Sequence, residues 1–136
     1  MLRIPGVLLS VLLCLLVLST PALAADTVLQ ATSADGAAAT LTLSADPLLS
    51  MTPTDVHLAL DKAHGDLLLP TAAVCDLTMP AMTMPDNRPV LSCGAIGCRG
   101  QVVFTMAGAW DVTCDVTFAS GQSERFVFVI DRVQMK

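Results

Sequence analysis

Residues 76–89 read DLTMPAMTMPDNRP, with Met79, Met82 and Met84 set among Pro80, Pro85 and Pro89. Loops ordinarily turn on Gly, Asn, Asp and Ser, and strands avoid Pro, so three thioethers on a stiff connection ask for a reason. Thioether sulfur is a soft, uncharged ligand that favours Cu(I) over hard cations. It needs no deprotonation and forms no disulfide, so it stays usable outside the reducing cytosol. Pro80 and Pro85 restrict the backbone around Met82 and Met84, which lowers the entropy lost when the ligands are ordered. The competing reading is packing, because methionine also fills irregular gaps at the end of a core. Met79 and Met106 continue inward-facing alternations and suit that role; Met82 and Met84 sit in the Pro-bounded loop and do not.

The compartment follows from the chain's beginning. Arg3 supplies a short basic start, residues 7–17 are almost unbroken apolar, and Ala22-Leu23-Ala24 is a small-x-small cleavage site. This pattern predicts a signal peptide over residues 1–24, export to the periplasm or the extracellular space, and a single domain over 25–136. Retention by the N-terminal apolar segment is the alternative. Loss of Arg3 with that segment leaves six basic against twelve acidic side chains, a formal charge of −6. Such acidity argues against nucleic acid and anionic membrane surfaces as partners.

Cys75, Cys93, Cys98 and Cys114 lie beyond the leader, and an even count in an exported chain points to disulfides. Four cysteines allow three connectivities, and spacing alone does not choose among them. Cys93 and Cys98 flank Gly-Ala-Ile-Gly, a loop that one bond would clip, which leaves Cys75 with Cys114 as the expected second pair. A thiolate metal site fits less well: C-x4-C is not the tight zinc spacing, and no histidine lies near it.

These residues must be positioned by strands. Period-two alternation dominates, with expected strands at 27–32, 38–45, 55–62, 73–79, 90–93, 99–106, 110–118 and 124–133. Turns fall at Ser33-Ala34-Asp35-Gly36, His64-Gly65-Asp66, Ala107-Gly108-Ala109 and Ser120-Gly121-Gln122. The pattern predicts an all-β fold, an antiparallel immunoglobulin-like β-sandwich of seven to eight strands. Strands that reverse in turn carry Met51, Met79, Met82, Met84, Met106 and Trp110 to one end. Met135 is left outside this set. His57 lies near that end but its phase points it to solvent, and His64 belongs to the opposite end. Trp110 beside the group suits the role of covering an open coordination face by cation–π attraction.

MPAMTMPDNRP, followed by GQVVFTMAGAW over residues 100–110, resembles the YtkA-like domain, which is related to FixH-type proteins. The likeness spans roughly residues 38–133. It implies an immunoglobulin-like fold in an exported or tethered protein linked to copper handling, including copper delivery to cytochrome oxidase. Its motif residues fall on Met79, Met82, Met84 and Met106 as metal ligands, with Trp110 beside them. The implied cofactor is copper as Cu(I), and the implied partner is a copper-accepting membrane protein such as a cytochrome oxidase or an exporter.

Two functions of different class therefore stand. The first is a Cu(I) carrier or buffer of the cell envelope, monomeric and not an enzyme. The second is a metal-free interaction module whose methionine-rich end docks a membrane or respiratory protein. Catalysis has little support, because no Ser-His-Asp set is present and no small-molecule substrate is evident. The carboxylates are spread along solvent faces and serve solubility.

Overall fold

The computed structural model describes residues 25–61 and 69–136. The expected signal peptide and the His64-Gly65-Asp66 turn lie outside the described residues. The all-β expectation holds, and every expected strand has a counterpart. In chain order these are β1 (Thr27–Thr32), β2 (Ala38–Leu43), β3 (Thr54–Leu60), β4 (Pro70–Thr78), β5 (Val90–Gly94), β6 (Gly97–Val102), β7 (Gly108–Phe118) and β8 (Ser123–Val133).

Turn chemistry explains the first hairpin. Ser33 N–H donates to the Ala37 carbonyl at 2.7 Å, Gly36 N–H donates to the Ser33 carbonyl at 3.0 Å, and the Ser33 hydroxyl accepts from Ala37 N–H at 3.1 Å. Ser33 is buried, so these bonds supply what water otherwise would. Between β5 and β6 the turn is two residues long, and Gly97 takes a φ of 118° that an L side chain rarely adopts.

All eight strands form one antiparallel sheet in the order β1-β2-β3-β6-β5-β4-β7-β8. Both β3-β6-β5-β4 and β6-β5-β4-β7 are Greek-key orders, so two overlapping keys link the strands. Only two residue pairs, Ala73↔Leu91 and Val74↔Val90, join β4 to β5. The outer strands β1 and β8 also come into contact.

The core lies on the inner faces. Leu41 and Leu43 from β2, Val56 and Leu58 from β3, and Ala73, Cys75 and Leu77 from β4 meet Trp110, Val112, Cys114, Val116 and Phe118 from β7. Phe126, Phe128 and Ile130 of β8 complete it. Phe104 and Trp110 pack edge to face with ring centroids 5.4 Å apart, an arrangement worth about 0.5–1.5 kcal/mol beyond its buried area.

Strand β6 ends earlier than its alternation suggests. Its last pair is Thr54↔Val102, where β3 begins, so the chain beyond has no ladder partner and crosses to start β7. Phe104 still buries fully, but Met106, expected to face inward, is exposed.

A methyl group at position 97 would strike the Leu58 carbonyl oxygen, a backbone atom. Gly97→Ala therefore combines that clash with a strained φ and should destabilise the fold by about 2 kcal/mol or more, read as a lowered urea midpoint.

Candidate metal centre

Three connections share one end of the sheet: 44–53 between β2 and β3, 79–89 between β4 and β5, and 103–107 between β6 and β7. Hydrogen bonds to main-chain carbonyls stitch them together. Met51 N–H donates to the Phe104 carbonyl at 2.7 Å, and the Asn87 side-chain amide donates to the Val103 carbonyl at 2.9 Å. The chain end joins in, since Ser50 N–H donates to the Gln134 carbonyl and Gln134 N–H to the Leu48 carbonyl, both at 2.8 Å.

The Met-Pro loop is shorter than its fourteen-residue motif suggests. Cys75 N–H donates to the Pro89 carbonyl and Leu77 N–H to the Asn87 carbonyl, each at 2.9 Å, so residues 87–89 run on from β5 alongside β4. What projects begins with a tight turn. Met82 N–H donates to the Met79 carbonyl at 3.3 Å across Pro80-Ala81, and Met79 and Met82 form an antiparallel bridge. Proline at the second position of such a turn presets its φ. Residues directly opposed in an antiparallel bridge carry their side chains on the same face, with Cβ atoms roughly 4.5–5.5 Å apart. Two thioethers thus leave the backbone on one face but end in different surroundings: Met79 is 8 % exposed and Met82 47 %. Met84 is half-buried and packs against the core.

Met79 also reaches β7. A methyl on Gly108 would lie 2.9 Å from the Met79 methyl carbon, and Gly108 holds a φ of 130°. Glycine there admits both the backbone conformation and the methionine tip. Met106 stands two residues earlier, 43 % exposed. The indole N–H of Trp110 donates to the Met106 carbonyl at 3.0 Å, while the ring itself is sealed in the core against Phe104. Trp110 therefore acts on this end by anchoring the Met106 backbone.

Met51 is 61 % exposed and has a φ of 56°. Left-handed backbone in a non-glycine residue costs on the order of 1–2 kcal/mol and persists where the surroundings hold it. Its bond to Phe104 and the neighbouring bonds of Ser50 do so here.

Met135, expected outside the group, is drawn to the same end. Leu49 bridges Gln134, and Lys136 N–H lies 3.4 Å from the Ser50 hydroxyl, which brackets Met135. The signal was available: one further reversal, through β8, returns the chain to this end.

His57 is not part of the group. It pairs with Thr42 and Arg99 in mid-sheet, and its Nε2 lies 3.1 Å from the Ile96 carbonyl in the turn at the opposite end. Because a carbonyl only accepts, Nε2 carries the proton. A groove of about 690 Å³ beside it is lined by Thr42, Ser44, Asp55, His57, Arg99 and Gln101. Among the described residues, no three His, Cys, Asp or Glu side chains gather around a common point.

Cys93 and Cys98 are joined by a disulfide across the β5–β6 hairpin. The other expected pair also meets: Cys75 and Cys114 are sealed in the core as register partners of β4 and β7, with Sγ atoms 2.8 Å apart. The hydrogen bond with Cys75, then burial, push the Cys114 thiol far above its ordinary value of 9.0.

No family model, curated protein or solved structure matches this chain.

Two outcomes are expected. Asn87→Ala removes the side-chain bond to Val103 and should cost about 1 kcal/mol by chemical denaturation. For the reduced protein, the folded state holds the Cys114 proton where the unfolded chain releases it. Its contribution is complete below the ordinary thiol value and falls as pH rises past it, by up to about 1.4 kcal/mol per pH unit. Urea midpoints measured from about pH 8 to about pH 10 should therefore fall more steeply for reduced wild type than for Cys114→Ala.

Proposed function

We propose that this protein is an exported Cu(I)-binding protein of the cell envelope, a carrier or buffer whose ligands are thioethers of the Met-Pro loop. The observation that carries the reading is the Met79–Met82 bridge, which sends two thioethers off one face of a Pro-stiffened turn. Met84 follows two residues on and Met106 lies beside Gly108, the residue that faces the Met79 methyl. Soft neutral sulfur in that number selects Cu(I), and a closed-shell soft cation tolerates the low coordination numbers that a few methionines supply.

When bound, Cu(I) would be held by Met82 and Met84 at the surface, with Met79 and Met106 as the ligands nearest the core. Trp110 fixes the Met106 segment through its carbonyl. The likeness of the two motifs to YtkA-like domains supports the same reading, as do the double Greek key and its kinship with immunoglobulin-like connectivity. The partner in this reading is a membrane protein that accepts copper, such as an oxidase or an exporter.

Anaerobic titration with Cu(I) against a chromophoric Cu(I) chelator should reveal one tight site per chain. Met82→Leu combined with Met84→Leu should abolish it while the thermal unfolding profile is retained, because both side chains leave the core largely intact. Retained affinity in that double variant would refute the thioether site. No Cu(I) uptake by wild type would instead favour the metal-free docking module.

A further inference from the structure

We propose that Met51 and Met135, on backbone segments tied together beside the 103–107 connection, form a second thioether site at the solvent edge of the same end, through which Cu(I) enters and leaves. The proposal rests on the Cu(I) reading of the Met-Pro loop and adds the route by which the ion is exchanged.

Three observations carry it. The first is adjacency imposed by the backbone. Met51 is bonded to Phe104, two residues before Met106, while its neighbour Ser50 is bonded to Gln134 and lies against Lys136. One short strap, 48–51, thus holds the 103–107 connection on one side and the chain end on the other. Met51, Met106 and Met135 are each within two residues of a bond that the strap makes.

The second is exposure. Met51 is 61 % and Met135 80 % exposed, more than Met82, and neither belongs to the core. Packing accounts for Met79 and in part for Met84; it does not account for these two.

The third is the backbone at Met51. Its φ of 56° is a conformation glycine adopts freely, yet methionine occupies it. A residue kept where it strains the chain points to a use for its side chain.

The chemistry needs no redox step. Cu(I) moves by ligand exchange, one Cu–S bond forming as another breaks, with no change in charge and no proton released.

The test uses the purified protein carrying [methyl-13C]methionine, titrated anaerobically with Cu(I) supplied as its acetonitrile complex. Signals of Met79, Met82, Met84 and Met106 are expected to shift at substoichiometric Cu(I), and those of Met51 and Met135 once Cu(I) exceeds one equivalent. Shifts at Met82 and Met84 with none at Met51 and Met135 would overturn the exchange route and leave the proposed function standing. No shift at any methionine would overturn both.

A second measurement reads transfer directly. In Met51→Gly with Met135→Leu, removal of Cu(I) by excess chelator should slow by about tenfold, while equilibrium affinity changes less than about threefold. Glycine at 51 relaxes the backbone and leucine at 135 lies outside the core, so the variant keeps its fold. An unchanged removal rate would refute the route.

Discussion

From Pro70 to Thr78, strand β4 is held to β7 by a ladder in which alternate residues of both strands face the core. That alternation fixes more than the interior. It places Ala73, Cys75 and Leu77 against Val112, Cys114 and Val116, and it delivers Met79 just past the last pair, Thr78↔Asp111. There the register of β7 shifts between Gly108 and Trp110, and the methionine tip arrives beside the glycine. A slip of one residue would turn the cysteines and Met79 outward together, so core and candidate site stand or fall as one construction.

The end that gathers the methionines is built almost wholly from main-chain bonds. Met51 to Phe104, Ser50 to Gln134, Leu77 to Asn87 and Cys75 to Pro89 all join backbone groups. Trp110 adds its indole N–H to the Met106 carbonyl, which satisfies a polar group that a sealed ring must otherwise bury unpaired. Since peptide groups hold the loops, the thioether side chains are left unconstrained by any structural bond. This division lets the exposed methionines be substituted with little effect on the scaffold, whereas Met79 belongs to the core.

Much of the fold was legible because the strands are amphipathic and the turns carry their usual residues. Trp110 to Phe118 alternates without interruption, and β7 covers it. Ser33 to Gly36 reads as a turn and folds as one. Strand ends were less legible: Met106 continues an apolar phase, yet its strand stops at Val102 where β3 has no more chain to offer. The pairing of Cys75 with Cys114 follows from the strand neighbours, not from any spacing between them. The reversal through β8 returns Met135 to this end, but the bridge from Leu49 to Gln134 that holds it there leaves no local trace. The close approach of Gly108 to Met79 was equally invisible, being set by a register shift rather than by a motif.

The gradient of burial across the methionines has a chemical consequence. Peroxide or hypochlorite reaches Met135, Met51, Met82 and Met106 long before it reaches Met79, whose sulfur is shielded by the sheet. Sulfoxidation converts a soft sulfur into a polar group that offers a hard oxygen. Damage would then strip the outward donors one by one from a body that stays folded, and a reductase could restore them without the chain ever having to open.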